Sequence, residues 1–289
     1  MSDGPVDKIL KMMEKVWLVT GCSTGFGRSI ASAALQAGYT VGVASRKLRD
    51  VQDIVDAYPQ TAIALELDVT DYHQIKSAVT YVYERLGVID VLVNNAGIGY
   101  FGAIEESEED EIRRMFEVNF WGLSEMTRQV LPLMRAQKSG HIINISSIGG
   151  LKSFPSLGYY HATKYAVDGL SEALFKEVGP LGIKVTIVAP GNFRTDWAGR
   201  SAKDSPVVIA DYAPTAQATR EWVRGISGKQ VGNPALAAQA IIQVAESESP
   251  PLRLLLGSDA LEGARTKLAE LAADYSAWED TTLSCDFKE

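Results

Sequence analysis

The residues with the clearest chemical potential are a tyrosine and a lysine in the pattern Tyr160-x-x-x-Lys164. Side chains at positions i and i+4 of a helix share one face, about one turn apart. A free phenol, with a pKa of about 10, is a poor acid or base at neutral pH, but a nearby ammonium group stabilises phenolate and lowers that pKa. Tyr160 could therefore pass a proton to or from a carbinol oxygen as a general acid/base.

A serine, Ser147, follows directly after the apolar run 141–146 and precedes the tyrosine. If that run is a parallel strand, Ser147 lies at its carboxyl end, where ligands of doubly wound folds bind. Its hydroxyl could hold a substrate oxygen while negative charge develops on it. A tyrosine and a lysine one turn apart are common on ordinary helices, so it is their combination with Ser147 that indicates an active site.

A glycine-rich segment, TGCSTGFG at 20–27, stands between the first apolar run and a helical pattern. Glycines let the backbone turn tightly and approach a pyrophosphate, whose charge is stabilised by the N–H groups and dipole at a helix N-terminus. This position between strand and helix predicts a dinucleotide site. The candidate contacts in the loop are Gly21, Ser23, Thr24, Gly25, Phe26 and Gly27.

The second apolar run ends in Ala44-Ser45-Arg46-Lys47. An NAD site would have a carboxylate here to accept a hydrogen bond from the ribose 2′-hydroxyl. Arg46 instead offers a planar fork to a 2′-phosphate, with Ser23, Ser45 and Lys47 as helpers. The sequence therefore favours NADP over NAD, and the alternative is that Arg46 is simply an exposed side chain.

Seven short apolar runs alternate with helical patterns from Val16 onward, and they must position these residues. The runs are near-continuously hydrophobic, as is typical of parallel strands covered on both faces. They lie at 16–20, 40–45, 61–67, 89–94, 141–146, 183–188 and 252–256. Repeated β-α-β units with right-handed crossovers predict an α/β, single-domain, Rossmann-type doubly wound fold: a seven-stranded parallel sheet with helices on both faces.

Local signals predict where several helices begin or end. One helix is expected from about Gly25 to Ala37, closed by Gly38, and another from about Tyr72 to Leu86, capped by Thr70 or Asp71 and closed by Gly87. Ser107 and Asp110 predict a capping box that opens a further helix, and Asn233 before Pro234 predicts an N-cap. A last helix is expected from about Ala260 to Tyr275.

No repeat or low-complexity linker divides the chain, so we expect one domain over 15–289 after an N-terminal extension of residues 1–14. The stretch 192–231 separates the sixth and seventh strands and is rich in Ala, Ser, Asp and Pro. A long insertion in a compact domain is usually a functional lid, and the alternative is a mobile, solvated excursion.

Composition removes several classes of function. The net charge of −8 over 289 residues supplies no electrostatic footprint for nucleic acid or an anionic membrane. No signal-peptide core or membrane-spanning apolar run is present. Cys22 and Cys285 lie near opposite ends, which leaves a disulfide open, and a reducing cytoplasm is the expected compartment. The isolated histidines His73, His141 and His161 favour structural roles and predict no metal site.

Taken together, these motifs resemble the short-chain dehydrogenase/reductase family, in its smaller-subunit branch, from Val16 to about Ala260. The strings TGCSTGFG, SSIGG, PGNFRTDW and LLLGSDA are most similar to its 17β-hydroxysteroid and retinol dehydrogenase-like group. The ordered motifs that carry the resemblance are Thr20-Gly21-x-x-x-Gly25-x-Gly27, Asp68-Val69, Asn94-Asn95-Ala96-Gly97, Asn119, Ser147, Tyr160-x-x-x-Lys164 and Pro190-Gly191-x-x-x-Thr195.

The resemblance implies a catalytic tetrad of Asn119, Ser147, Tyr160 and Lys164. In it Tyr160 is the general acid/base, Ser147 orients the carbonyl, Lys164 binds the nicotinamide ribose and lowers the tyrosine pKa, and Asn119 holds a water that leads to Lys164. The implied cofactor contacts, besides the glycine loop, are Asp68 and Val69 to adenine, Asn95, Ala96 and Gly97 to the ribose region, and Pro190, Gly191 and Thr195 to the nicotinamide.

The expected activity is an NADP(H)-dependent interconversion of an alcohol and a ketone or aldehyde by hydride transfer. One alternative is a non-catalytic NADP-binding sensor or scaffold, which could lose the Tyr-Lys pair that is intact here. Another is an epimerase or dehydratase of the larger-subunit branch, which predicts GxxGxxG and a substantial C-terminal substrate domain, and neither is present.

Large apolar side chains near the predicted site favour a hydrophobic or aromatic carbonyl substrate. The candidates are Tyr100, Phe101, Gly149, Phe154, Asn192, Phe193, Trp197 and Tyr212. The resemblance also implies a homodimer or homotetramer packed through the helices that carry Asn119 and Tyr160. The apolar residues that could serve this contact, or the core instead, are Phe116, Phe120, Leu123, Ala166, Leu170 and Leu174.

Overall fold

A computed structural model of the chain describes residues 15–199 and 201–287, so the predicted extension 1–14 lies outside the described residues. Its main sheet is parallel throughout, in the order β3-β2-β1-β4-β6-β7-β9, which confirms the predicted seven-stranded doubly wound fold. The strands are β1 Val16–Val19, β2 Thr40–Ser45, β3 Ala62–Glu66, β4 Val91–Asn94, β5 Gly99–Phe101, β6 Gly140–Ile145, β7 Ile183–Pro190, β8 Ala202–Asp204 and β9 Arg253–Leu256.

Helices cover both faces of the sheet. They are α1 Gly25–Gln36, α2 Gln52–Ala57, α3 Tyr72–Leu86, α4 Glu109–Phe116, α5 Gly122–Gln137, α6 Gly158–Val178, α7 Ala218–Gly225, α8 Pro234–Glu246, α9 Ser258–Ala277 and α10 Glu279–Leu283. Apolar residues of α1 and α8 form one core with the sheet, while α3, α5 and α6 form the other. Burial on both sides explains why the strand sequences are almost continuously apolar.

The strand order reverses between β1 and β4, because β2 and β3 extend to one side of β1 and the remaining strands to the other. The connections therefore leave the carboxyl ends of β1 and β4 in opposite directions and open a crevice between them. Ligands of doubly wound sheets bind in this crevice. The fold thus brings the glycine loop after β1 beside the segment after β4.

Several predicted helix ends are confirmed by their capping contacts. The Asp71 carboxylate accepts hydrogen bonds from the backbone N–H groups of His73 and Gln74 at 2.8 and 3.1 Å, so Asp71 rather than Thr70 caps α3. Gly87 ends that helix in the left-handed region, with φ 76°. Asn233 caps α8 by accepting from the N–H of Ala235.

The predicted capping box of Ser107 and Asp110 is wrong. Helix α4 begins at Glu109 with Glu108 at its N-cap, and the Ser107 hydroxyl instead donates to the carbonyl of Ala103 at 2.8 Å. The Glu106 carboxylate accepts from the N–H of Ala103, which closes the segment into a turn of its own. Ser107 is therefore drawn back toward the preceding residues and away from the helix.

The insertion 192–231 is folded onto the body of the domain. Its strand β8 pairs in parallel with β5, forming a second, two-stranded sheet. Arg224 of α7 donates hydrogen bonds to the carbonyls of Ala198, Gly199 and Ala202 and pairs with Asp204 at 2.7 Å. The part of the insertion that the structure describes is therefore a packed cap and not a solvated excursion.

Both cysteines are free thiols, Cys22 buried and Cys285 exposed, which answers the question of a disulfide that the sequence left open. Within 15–199 and 201–287, no helix has the length and apolar character needed to cross a membrane.

Candidate active site

A continuous cavity of about 1610 Å³ runs along the carboxyl edge of the main sheet. One end lies between the glycine loop and the ends of β2 and β3, where Arg46 and Asp68 stand. The other end lies under the insertion, between Trp197, Phe154 and the first turns of α9. The cavity can therefore hold an extended molecule at one end and a second molecule against it at the other.

The glycine loop has the conformation that its sequence predicts. Gly21 and Gly25 have φ values of 72° and 60°, which side chains rarely adopt, and a side chain at Gly27 would overlap the Asn95 amide and the Gly21 carbonyl. Because α1 begins at Gly25, its N–H groups point toward the cavity end that the loop encloses. The loop thus forms a cradle for a phosphate group.

Two polar side chains tie this loop to the end of β4. The Asn95 amide donates to the carbonyls of Thr20 and Gly21 at 2.9 and 3.1 Å. The Thr20 hydroxyl accepts from the N–H groups of Asn95 and Ala96 at 2.9 and 3.0 Å. The Asn95 side chain therefore holds the glycine loop in place. The resemblance implied only a contact from this residue to the ribose region.

The structure brings nearly all of the predicted cofactor residues to one cavity wall. Gly27, which packs behind the loop, and Lys47, which is exposed and outside the cavity lining, are the exceptions. The predicted residues that line the cavity are Gly21, Ser23, Thr24, Gly25, Phe26, Ser45, Arg46, Asp68, Val69, Asn95, Ala96, Gly97, Tyr160, Lys164, Pro190, Gly191 and Thr195.

The end of β2 carries a cation that is open to a ligand. Ser45 is buried, whereas Arg46 is exposed at the cavity wall. Among the residues that the structure describes, no carboxylate lies within ion-pair distance of Arg46, while the nearby Asp50 is 3.7 Å from Arg49. The Arg46 guanidinium is thus available at the position where a ribose 2′-substituent would approach.

Tyr160, Lys164 and Ser147 meet in the middle of the cavity. The Lys164 ammonium donates to the carbonyl of Ile145 at 2.9 Å and lies 5.8 Å from the centre of the Tyr160 ring. The Ser147 hydroxyl accepts a hydrogen bond from the N–H of Gly149 at 3.0 Å and lies near enough to the Tyr160 phenol to act on its pKa. The Trp197 ring packs against the Tyr160 ring in a tilted arrangement, with the ring centres 4.8 Å apart.

Asn119 lies in a π-helical turn, Glu117–Trp121, between α4 and α5. Its side chain accepts from the N–H of Ile98 at 2.8 Å and donates to the Ile98 carbonyl and the Thr163 hydroxyl at 3.0 and 3.1 Å. Thr163 in turn donates to the carbonyl of Tyr160 at 2.7 Å. Both amide protons of Asn119 are therefore used to join the β4–β5 connection to α6.

The Tyr-Lys spacing predicts that the pKa of Tyr160 is lowered. The surroundings of Tyr160 in the chain have the opposite effect. Burial raises the pKa of Tyr160 to about 12, and the Ser147 hydroxyl only partly opposes this. The pKa of Lys164 falls to about 8, because burial disfavours its charge more than Asp168 stabilises it. Desolvation thus outweighs charge attraction here. Tyr160 is held as a neutral phenol that retains its proton.

A buried carboxylate that sequence reasoning missed lies one turn beyond Lys164 on α6. Asp168 accepts a hydrogen bond from the Ser146 hydroxyl and one from Arg253 of β9 at 2.9 Å. Burial raises the pKa of Asp168, while Ser146 and Arg253 act to lower it. The spacing of four from Lys164 was visible in the sequence, but the pairing with Arg253 required the tertiary fold.

At the substrate end, the structure corrects three of the predicted residues. Tyr100, Phe101 and Tyr212 do not line the cavity. Pairing of β5 with β8 buries Tyr100 and Phe101 in the core of the second sheet, where the Tyr100 hydroxyl accepts from the N–H of Glu108. The Tyr212 hydroxyl donates to Glu105 at 2.8 Å. The predicted residues that do line the cavity are Gly149, Phe154, Asn192, Phe193 and Trp197.

His161 supports the loop that forms one wall of this end. Its Nδ1 donates to the carbonyl of Gly149 at 3.0 Å, and its Nε2 accepts from the N–H of Phe154 at 2.9 Å. Because both ring nitrogens are used, the imidazole is held in its neutral Nδ1–H form. Burial lowers the pKa of His161 in the same direction. His161 therefore has a structural role, as the sequence predicts, and the loop that it holds is part of the cavity wall.

Asp259, in the first turn of α9, is a further residue that the sequence did not single out. Its carboxylate accepts from the backbone N–H and the side-chain amide of Asn192, at 2.7 and 2.9 Å. It lies on the cavity wall and fixes the start of the insertion. Nothing in the sequence links two residues so far apart, so only the fold reveals the contact.

No group of three or more His, Cys, Asp or Glu side chains in the described ranges could hold a metal ion. His141 is buried in β6 with its Nε2 2.9 Å from the Thr186 hydroxyl, and burial lowers its pKa to about 3. His141 therefore has a structural role within the sheet, and it does not line the cavity.

Comparison with known proteins identifies the family. The model of the family described as short chain dehydrogenase matches residues 15–206. The chain belongs to this family of oxidoreductases. Oxidoreductase BOA17 of Botryotinia fuckeliana is 39% identical over 273 residues, which cover 94% of this chain and 99% of that protein. The 3-ketodihydrosphingosine reductase of Bacteroides thetaiotaomicron is 36% identical over 247 residues, covering 85% and 89%.

Solved structures of similar proteins agree with the fold. A short-chain dehydrogenase from Streptomyces avermitilis has a TM-score of 0.90 and 45% sequence identity, covering 95% of this chain and 99% of that one. ElxO, solved with NADP bound, has a TM-score of 0.72 and 28% identity, covering 86% and 100%. The family model ends at residue 206, within the insertion, whereas the match to the first of these structures extends over 95% of the chain.

Proposed function

We propose that the protein is an NADP(H)-dependent oxidoreductase that interconverts an alcohol and a ketone or aldehyde. One observation carries this proposal: Tyr160, Ser147 and Lys164 lie together in the same cavity as the glycine loop. A proton donor is thereby placed next to a site for a redox cofactor. The membership of an oxidoreductase family supports the assignment.

The residues present fit a dinucleotide. The glycine loop leaves open a cradle that side chains at Gly21 or Gly25 would strain, and the start of α1 directs N–H groups at that cradle. Arg46 would hold the 2′-phosphate, with Ser23 and Ser45 nearby on the cavity wall, while Pro190, Gly191 and Thr195 would contact the nicotinamide end. When bound, NADP(H) supplies or accepts the hydride.

The chain itself would supply the proton and the geometry. Because burial keeps Tyr160 protonated, its hydroxyl can release a proton to the substrate oxygen as that oxygen gains charge in carbonyl reduction. The Ser147 hydroxyl, on the same cavity wall, can donate to the same oxygen and orient the carbonyl. The ammonium of Lys164, with a pKa of about 8, remains charged at neutral pH and stabilises the phenolate that is left.

Asn119 would act on Tyr160 indirectly, through hydrogen bonds to other residues of the chain. Its amide joins Ile98 to Thr163, and Thr163 is bonded to the carbonyl of Tyr160. Since both of its amide protons are used, a water leading toward Lys164 would be held by the backbone of the π-helical turn. Such turns are frequent at functional sites, because the extra residue disturbs the regular helical hydrogen bonds.

The substrate proposed is a hydrophobic carbonyl compound. The cavity wall at this end includes the apolar side chains of Ile148, Phe154, Trp197 and Val223. A relative named as a 3-ketodihydrosphingosine reductase is consistent with a ketone attached to an apolar group. A place in the 17β-hydroxysteroid and retinol dehydrogenase-like group is also part of this proposal and rests on the motif strings alone.

The proposal extends to the setting of the protein. We propose a cytoplasmic enzyme that acts on a small molecule and assembles as a homodimer or homotetramer through the helices carrying Asn119 and Tyr160. Leu123 and Leu174 are buried within the chain and cannot serve that contact. Phe116, Phe120, Ala166 and Leu170 are half-buried, and the exposed apolar side chains on the same helices are Trp121, Tyr165 and Phe175.

The decisive experiment is oxidation of NADPH in the presence of a panel of hydrophobic ketones and aldehydes. Tyr160→Phe should reduce turnover by about 10²–10⁴-fold, because the proton donor is lost, while NADPH binding is retained. Tyr159→Phe is the matched control, since this half-buried neighbour lies on the same helix. Turnover that survives in Tyr160→Phe would contradict the assignment, and binding of NADPH without any turnover on the panel would favour the sensor or scaffold.

The preference for NADPH over NADH can be tested at Arg46, whose exposed guanidinium lies at the end of β2. Arg46→Asp should weaken NADPH binding about 10–100-fold and favour NADH, because a charge-assisted pair to the 2′-phosphate is replaced by repulsion. Arg49→Asp, which changes an exposed arginine outside the cavity lining, is the control. Fluorescence titration with both cofactors measures the ratio, and an unchanged ratio in Arg46→Asp would exclude Arg46 as the selector.

A further inference from the structure

Two charged side chains of α6 hold the end of β6. The Lys164 ammonium donates to the carbonyl of Ile145 at 2.9 Å. One residue further along the chain, the Ser146 hydroxyl donates to the carboxylate of Asp168. The next residue is Ser147, which lines the cavity. Lys164 and Asp168 are therefore successive anchors of the segment that presents the candidate serine.

The Asp168 carboxylate is enclosed by protein and has a partner on each oxygen. The residue is only 4% exposed, and a Cβ added at Gly150 would lie 2.8 Å from its Oδ1. Oδ1 accepts from Ser146, and Oδ2 accepts from Arg253 of β9 at 2.9 Å. A buried charge is costly unless it is paired and hydrogen-bonded, and both conditions are met here.

Charges of alternating sign run from the cavity to the surface. Lys164, Asp168 and Glu172 follow one another at intervals of four, so they share one side of α6. Lys164 lines the cavity, whereas the Glu172 side chain is exposed. Arg253 places its guanidinium between the two carboxylates, 2.9 Å from each. Asp168 thus stands between two cations, one of which belongs to the candidate site.

Burial disfavours the charge of Lys164, and Asp168 opposes this effect on its pKa. In return, Lys164 and Arg253 act to lower the pKa of Asp168, which burial raises. Among the described residues, the other titratable groups around this pair are Tyr160 on α6, which is neutral, and Glu172, which lies beyond Arg253. Asp168 is therefore the negative group that acts on the lysine.

We propose that Asp168 is a positioning residue: its carboxylate anchors the end of β6 to α6 and is the counter-ion of Lys164. The inference rests on the proposed function, in which the charged lysine stabilises the phenolate of Tyr160. Asp168 does not line the cavity, so it acts through Ser146 and Lys164 and not by contact with substrate or cofactor. A purely structural role, joining α6 to β9, would leave the charge of Lys164 unchanged.

The titration of Lys164 tests the counter-ion without cofactor or substrate. Isotope-labelled lysine is incorporated into the full chain, and the Cε resonance that is missing from Lys164→Arg is followed by NMR between pH 6 and pH 10. The wild-type midpoint is expected at about pH 8. Asp168→Asn keeps an acceptor for Ser146 but removes the charge, so it should lower the midpoint by about one pH unit.

Glu172→Gln is the matched control, because it removes the other carboxylate that contacts Arg253 and should leave the Lys164 midpoint unchanged. Loss of one member of a buried ion pair is destabilising, whereas loss of both is often neutral. Asp168→Asn combined with Arg253→Met is therefore the second variant, and its midpoint should be lowered as in Asp168→Asn. Circular dichroism and thermal unfolding verify the fold of each variant.

The pH profile of carbonyl reduction connects the counter-ion to the reaction. Wild-type kcat/KM should fall above about pH 8, where Lys164 loses its proton. In both Asp168 variants the fall should begin about one pH unit lower, so that kcat/KM is about fivefold below wild type at pH 8 and approaches it at pH 6. Ser146→Ala keeps the carboxylate and loses the anchor, so it should lower kcat/KM several-fold at every pH without moving the midpoint.

The proposal is overturned if the midpoint of Lys164 is the same in wild type and in the double variant. It is also overturned if kcat/KM of the Asp168 variants falls by one factor at every pH, because that result indicates a structural role alone. A wild-type protein that oxidises no NADPH with the ketone panel would contradict the proposed function instead. The lysine titration would then still decide whether Asp168 is the counter-ion.

Discussion

The two ends of the cavity are built in different ways. At the nucleotide end, backbone groups form the surface: glycines with positive φ, the first N–H groups of α1, and strand ends tied together through Thr20 and Asn95. At the substrate end, the walls are an insertion and a loop, held by the side chains of Arg224, Glu106 and His161. The first end is fixed by the sheet and the second by individual side chains.

Because of this difference, amino-acid substitutions should have different effects at the two ends of the cavity. A surface made of backbone tolerates few side chains, because a Cβ added at Gly21 or Gly27 would enter the space of another chain segment and one at Gly25 would require a strained φ. A wall held by side-chain hydrogen bonds can shift when one of them is replaced. We therefore expect changes at the nucleotide end to act in an all-or-none way and changes at the substrate end to act by degrees.

The largest effect is expected from Gly27→Ala. The added methyl group would overlap the Asn95 amide and the Gly21 carbonyl, so the loop would have to move, at about 1–3 kcal/mol of stability. NADPH binding should fall below detection in a calorimetric titration. Gly225→Ala, in the cap at the other end, is the matched control: open space surrounds it, and stability should stay within about 1 kcal/mol of wild type or rise. Equal effects of the two changes would refute the comparison.

An intermediate effect is expected when the hydrogen bonds and the ion pair that Arg224 makes within the cap are removed. Arg224→Met removes hydrogen bonds to Ala198, Gly199 and Ala202 and the ion pair with Asp204, while part of the apolar contact with Phe101 remains. We expect kcat/KM for carbonyl reduction to fall about tenfold or more while the Kd for NADPH stays within twofold. A parallel loss of NADPH affinity would show that the two ends are not held independently.

The smallest effect is a pH dependence confined to the substrate end. Burial holds the pKa of His161 below its ordinary value, so the stability that its neutral form contributes is complete above about pH 6.5 and is lost as the pH falls. Protonation also turns Nε2 into a donor facing the N–H of Phe154. We expect KM for a bulky ketone to rise several-fold between pH 7 and pH 5, with the Kd for NADPH changing less.

His161→Gln serves as the test of that origin. Its amide can accept from Phe154 but does not titrate, so the rise in KM below pH 6.5 should disappear in this variant. If the rise persists, the pH dependence arises from another group and the role of His161 is limited to packing.

Much of the fold could be predicted because its signals are local. The seven main strands are continuous apolar runs, and the structure places each within a residue or two of the predicted position. Asp71, Gly87 and Asn233 end or begin helices through contacts to their own neighbours in sequence. Strands β5 and β8 were not predicted, because each has three residues and is stabilised only by pairing with the other.

The same distinction holds for the candidate site. The spacing of Tyr160 and Lys164, the glycine loop and the position of Ser147 are properties of short segments, and the sequence by itself determined them. The direction of the tyrosine pKa was decided by tertiary structure, because burial depends on what packs around the phenol, and here burial outweighs the opposing effect of the Ser147 hydroxyl. Tyr100 became core and Asp259 became cavity wall for the same reason: both positions depend on segments distant in sequence.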